Sequence, residues 1–163
     1  MLSTRRRPPV PRPTPRNNFT GFASEGPRAL CRAVRGLLSL PTMNYTEALA
    51  WLDSLTLHGI KLGLERPRAL AAALGDPQFA APSVLIGGTN GKGSTLAFLA
   101  SLLLADGRKI GQYTSPHLVS PRERIRVNDR EISREDFAAA VTAVRSAATA
   151  LHEIPTYFEV MTL

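Results

Sequence analysis

The chain has 163 residues, 44% of them hydrophobic and 6% aromatic, with a formal net charge of +7. That length suits one domain, or one domain and a tail, around a mostly aliphatic core. No apolar run reaches the ~20 residues that span a bilayer, and the single cysteine, Cys31, excludes an internal disulfide, so a cytoplasmic protein with no membrane partner is expected.

The charge is unevenly placed. Residues 1–42 hold eight arginines (Arg5, Arg6, Arg7, Arg12, Arg16, Arg28, Arg32 and Arg35) and one acid, Glu25. The rest of the chain holds twelve basic and twelve acidic side chains and is neutral. Pro8, Pro9, Pro11, Pro13 and Pro15 crowd the same segment, and prolines lack the amide donor that helix and sheet need. We therefore expect a disordered basic tail over 1–42 and a folded unit over 43–163. An Arg-rich, acid-poor tail also fits a transit peptide or a nucleic-acid-binding arm. The reading we favour is an upstream start codon, with the protein beginning at Met43 and no nucleic-acid partner.

From Asn44 the elements follow in order. Asn44 stands three residues before Glu47, a capping-box spacing. Ala48, Trp51, Leu52 and Leu55 then recur at helical intervals. His58 to Arg66 reads as loop, and Pro67 opens a second helix over Ala69–Leu74, stopped at Gly75. Ser83-Val84-Leu85-Ile86 is a short apolar run between Pro82 and Gly87, which predicts a buried strand. A glycine loop follows, then a helix from Lys92 to Asp106 that is apolar nearly all round, with Gly107 as its terminator. Lys109 to Thr114 reads as the next strand, parallel to Ser83–Ile86. Arg122 to Asn128 alternates, with Arg122, Arg124 and Arg126 on a solvated face. Asn128-Asp129-Arg130 is a turn, and Glu131-Ile132 a returning strand. Ser133 caps a helix whose stripe is Phe137, Val141, Val144, Ala148 and Leu151. The fold class is α/β: a mostly parallel sheet flanked by helices, with a phosphate loop at its edge.

Gly88-Thr89-Asn90-Gly91-Lys92-Gly93-Ser94 carries the chemistry. Glycines let backbone N–H groups converge on a phosphate, and the following helix adds its positive end. A lysine brings a mobile charge to the outer phosphate oxygens, and a hydroxyl can meet a phosphate or a magnesium ion. The general pattern, G-x-x-x-x-G-K-S/T, has the hydroxyl directly after lysine. Here Gly93 stands between Lys92 and Ser94.

Four segments in order, HGIKLGLERP, GTNGKGS, YTSPHLVSPRERIRVN and TYFE, resemble the folylpolyglutamate synthase/dihydrofolate synthase family of Mur-ligase-like ATP-dependent ligases, in its N-terminal portion. The resemblance implies a truncated Mur-ligase central domain that uses ATP and Mg²⁺. It implies addition of L-glutamate to dihydropteroate or to folates. ATP would convert the acceptor carboxylate to an acyl phosphate, and the glutamate amine would displace phosphate. It places Thr89, Asn90, Gly91, Lys92, Gly93 and Ser94 on the ATP phosphates, with Lys92 catalytic. Ser115 matches a magnesium ligand. Lys61, Leu62 and Gly63, with Thr156, Tyr157, Phe158 and Glu159, match segments that contact the pterin-bearing substrate. A monomer is expected when full length. Further family motifs lie beyond Leu163, so we expect a fragment or a truncated gene. Alone it would be inactive as a ligase, with an apolar sheet edge and helix faces uncovered. The competing class is an inactive nucleotide-binding remnant, or another Mur-like ligase. Outside the motifs Tyr157 and Phe158 read as core aromatics, Glu159 as a solvated charge and His117 as structural.

Overall fold

The computed structural model describes residues 42–56 and 63–163. The tail and the Lys61-Leu62 pair lie outside the described residues, except for Thr42 at the tail's end.

Helix α1 spans Tyr45–Leu55. The Asn44 side chain accepts from the Glu47 amide at 2.9 Å, and the Asn44 amide donates to the Glu47 carboxylate at 2.8 Å. This is the reciprocal capping box that the spacing predicts, and it satisfies two helix-end donors. Helix α2 spans Glu65–Ala73, so it begins before Pro67, which falls in its first turn. Helix α3 is Lys92–Ala105. Strands β1 (Gly111–Tyr113), β2 (Ile125–Val127) and β3 (Arg130–Glu131) follow, then helices α4 (Arg134–Ala150) and α5 (Tyr157–Thr162).

The core lies where α1, α2, α4 and α5 meet, built from Leu52, Leu55, Leu70, Phe137, Val141, Val144, Val160 and Met161. Tyr45 meets the Phe137 ring edge-on at 5.8 Å between centroids, a favoured aromatic geometry. Leu151, expected on the α4 stripe, is instead the residue that ends the helix and is exposed. One buried polar group needs its partner. Thr142 accepts the Met43 amide at 3.0 Å and donates to the Ala138 carbonyl at 2.7 Å. Thr142→Val keeps the shape but strands the Met43 amide in the core. Urea unfolding of this variant should show a loss of ~1–3 kcal/mol, the cost of an unsatisfied buried donor.

The sheet corrects one expectation. It is antiparallel throughout, in the order β1-β2-β3, pairing Gly111 with Val127, Gln112 with Arg126 and Val127 with Arg130. Asn128 and Asp129, at φ 48° and 63°, form the two-residue turn of a hairpin whose twist suits left-handed residues. Ser83–Ile86 has no ladder partner among the described residues, and Leu85 is 97% exposed. An apolar run indicates what a strand would bury. Which strand lies beside it is decided by residues far away in sequence, and the run itself is silent on that. Phe98 and Leu102 of α3 are likewise exposed, and Ala100 is that helix's buried residue.

The hairpin arginines also differ from expectation. Arg122 donates to the Ile132 carbonyl at 2.7 Å and Arg124 to His117 Nδ1 at 2.8 Å. Arg126 pairs with Asp129 at 3.1 Å. All three are partly buried and bonded, so they tie the hairpin together and do not form a freely solvated face. No helix among the described residues is long and apolar enough to cross a membrane.

Candidate functional site

The glycine loop enters α3 through Gly91, which stands in the left-handed region at φ 76° as the helix N-cap. Gly88 sits at φ 149°, a conformation that side-chain-bearing residues rarely adopt. No side chain caps α3. Its first-turn amides at Lys92, Gly93 and Ser94 therefore lack the usual partner, and the helix dipole adds positive potential there. A Cβ built on Gly93 would meet nothing within 4 Å. Packing within the chain does not require that glycine. Lys92 folds back over the loop, its Nζ donating to the carbonyls of Gly88 at 2.6 Å and Thr89 at 3.1 Å. Loop and helix thus follow one another at the motif as expected, but the segment before them, Ser83–Ile86, forms no strand among the described residues.

A groove of about 220 Å³ runs between α3 and the hairpin, lined among others by Gly93, Ala97, Gln112, Thr114 and Arg126. It brings the start of α3 beside the strand that leads to Ser115. Ser115 itself is exposed, at the head of a loop whose shape Glu123 sets. That carboxylate accepts the amides of Leu118 at 2.8 Å, Val119 at 2.9 Å and Ser120 at 2.6 Å. These amides, Leu118's foremost, hold its carboxyl below the ordinary carboxylate value. Ser120 completes a second capping box with Glu123. The S-x-x-E spacing of Ser120 and Glu123 is the local sequence signal for this box.

A second cluster joins α5 to α2. Thr156 caps α5 in a third reciprocal box with Glu159. Glu159 also pairs with Arg66 at 3.1 Å, the side chains 8% and 14% exposed, and Arg66 donates to the Ile154 carbonyl at 2.9 Å. Glu159 is thus buried and paired where a solvated charge was the plain expectation. Tyr157 is partly buried and Phe158 exposed. Burial raises the Tyr157 hydroxyl above its usual value, partly offset by Arg124, with Asp53 and Tyr113 also in electrostatic reach. Gly63, at φ 129°, lies two residues before α2. Arg66 was not singled out from sequence, because its partner is 93 residues away.

Burial by itself would raise the Glu159 carboxyl, but the Thr156 amide and hydroxyl and the Arg66 guanidinium outweigh it and hold the group below its ordinary value of 4.5. A depressed folded-state value contributes stability that is full above the unfolded value and lost as pH falls through the folded one. Glu159→Gln should therefore flatten the acid limb of melting temperature against pH below about 4.5. An unchanged limb would mean that other carboxylates govern it.

No family model matches the chain. It is 39% identical over 122 residues to the dihydrofolate synthase/folylpolyglutamate synthase of Bacillus subtilis, covering 72% of this chain and 28% of that protein. The Escherichia coli protein of the same description is 42% identical over 115 residues, 71% of this chain and 27% of that one. Among solved structures, folylpolyglutamate synthetase from Lactobacillus casei superposes with a TM-score of 0.68 at 35% identity, over 74% of this chain and 31% of that chain. Escherichia coli FolC in complex with DHPP and ADP gives 0.64 at 40% identity, over 76% of this chain and 30% of that chain. The chain thus spans under a third of the length of each of these relatives.

Proposed function

We propose, from the kinship of this chain with the folylpolyglutamate synthase/dihydrofolate synthase family, that it forms the nucleotide-phosphate end of an ATP-dependent ligase. That ligase joins L-glutamate to dihydropteroate or to a folate. The observation that carries this reading is the uncapped start of α3, with Gly88 and Gly91 in glycine conformations and Lys92 above them.

A carboxylate is a poor electrophile, and its activation by ATP moves negative charge onto a migrating phosphoryl group. The amides of Gly91, Lys92, Gly93 and Ser94 provide fixed donors for that charge, with Thr89 and Asn90 shaping the approach. Lys92 is within reach of the loop carbonyls and can transfer its ammonium to phosphate oxygens when they arrive. The open space at Gly93 lets a phosphate approach the backbone closely.

Mg²⁺ prefers oxygen ligands, and the exposed Ser115 hydroxyl suits one position. Among the described residues no group of three His, Cys, Asp or Glu side chains is placed to hold a metal ion, so the other oxygen ligands would come from the phosphates, from water or from the rest of the complete protein. When bound, the ion neutralises charge on the phosphates. Gly63, Tyr157 and Phe158, with Lys61 and Leu62 outside the described residues, make up the side facing the pterin. A fused aromatic ring would stack on such aromatic surface. The whole enzyme works as a monomer in this reading.

The test is ADP release by the complete protein carrying this chain, with ATP, Mg²⁺ and glutamate, and with dihydropteroate or a folate as acceptor. Release that depends on glutamate and on either acceptor is expected, and the two acceptors separate the two activities. ATP binding without any acceptor-dependent turnover would overturn the reading.

A further inference from the structure

Glu159, one of the residues that the resemblance assigned to substrate, is buried and already accepts three hydrogen bonds from within the chain. Its Oε1 takes Arg66 Nε at 3.1 Å. Its Oε2 takes the Thr156 amide at 2.7 Å and the Thr156 hydroxyl at 3.0 Å. The group is buried. Arg66, partly buried, also donates from Nη1 to the Ile154 carbonyl at 2.9 Å.

What the pair does is geometric. Arg66 is the second residue of α2, directly after the Gly63-Leu64 turn, and Glu159 lies in the first turn of α5, directly after Tyr157 and Phe158. The ion pair and the Ile154 bond fasten those two helix starts together across 93 residues of chain. Desolvation of buried Glu159 and partly buried Arg66 offsets much of their attraction, so stabilisation alone is a weak account of the pair. Fixing the relative position of two segments is a role for which directional, charge-assisted hydrogen bonds are suited.

We propose that Arg66 and Glu159 are positioning residues for the pterin-bearing substrate. They set the spacing between the Gly63 turn and the aromatic pair Tyr157-Phe158, and neither touches the substrate. This rests on the functional reading above. It moves Glu159 from ligand to support and gives a role of its own to Arg66, which lies within the HGIKLGLERP segment.

The experiment uses the complete protein and four variants: Arg66→Met, Arg66→Lys, Glu159→Gln and the Arg66→Met/Glu159→Gln double. KM for dihydropteroate or folate, KM for ATP and thermal melting are measured for each. Misplacing substrate-side elements by about 1 Å can cost up to ~10²-fold. We expect the acceptor KM to rise about 10-fold or more in Arg66→Met and Glu159→Gln, while the ATP KM stays within about twofold. The double variant should match the singles, because residues acting as one unit are not additive. Arg66→Lys should recover part of the loss by keeping the charge. If Arg66→Met does not fold, Arg66→Lys and Glu159→Gln carry the same comparison. A fall in melting temperature with both KM values unchanged would make the pair merely structural and overturn the proposal. A loss in Glu159→Gln without any in the Arg66 variants would make Glu159 a direct ligand and overturn it equally. Wild-type protein with no acceptor-dependent turnover would bring down the functional reading and this inference with it, a result distinct from either of those.

Discussion

In the complete protein carrying this chain, Lys92→Ala should lower the proposed ATP-dependent glutamate ligation by ~10²–10³-fold, the usual worth of one contact to charge that develops in the transition state. The side chain is exposed and its partners are two loop carbonyls, so no core packing is lost. Melting temperature should change little, because exposed substitutions away from special features stay within roughly 0.5 kcal/mol. The pairing of these two results is what matters. Lost turnover with an intact fold assigns the lysine to phosphate chemistry. Near-normal turnover would remove that assignment, and lost folding would point to the Gly88 and Thr89 contacts as structural. Lys92→Arg is a useful companion. Its planar fork does not reproduce a compact ammonium, so only part of the rate should return.

Phe137→Ala should have the largest effect on stability. The ring is 1% exposed at the centre of the helical core and edge-on to Tyr45. Removing a buried phenylalanine costs ~3–5 kcal/mol through lost transfer energy and the cavity left behind. Against a total stability of ~5–15 kcal/mol that is a large share. For a protein of this size it corresponds to ~6–20 °C in melting temperature. Leu151→Ala is the control. Periodicity placed Leu151 on the same stripe, yet it is an exposed helix terminus. A loss below about 0.5 kcal/mol is expected there. Comparable losses at the two positions would mean that the C-terminal end of α4 packs more closely than described.

What the sequence revealed was mostly local. The Asn44 box, the Ser133 cap, the Gly107 terminator and the Asn128-Asp129 turn depend on residues within four positions of one another, and each is found where its pattern predicts. The glycine loop is legible for the same reason: donors, lysine and helix start are contiguous. The strand at Ser83–Ile86 was not, because pairing is a relation between distant segments. Arg66 was missed on similar grounds. A capping residue advertises its partner by spacing, whereas an ion pair spanning 93 residues leaves no periodic trace. Leu151 shows a subtler limit. Helical periodicity identifies the face a residue would occupy but not whether the helix has already ended.

The Ser115 loop carries a consequence of its own. A loop that must be immobilised when a ligand arrives subtracts that lost freedom from the affinity. Here Leu118, Val119 and Ser120 are already held by one carboxylate, and Thr114 by the Arg124 carbonyl at 2.9 Å. The ordering has been incurred during folding, with Glu123 as its anchor. If Ser115 meets a phosphate or cation as proposed, it does so from a loop whose neighbours are already held, and binding there should carry a smaller entropic penalty than its exposed position suggests.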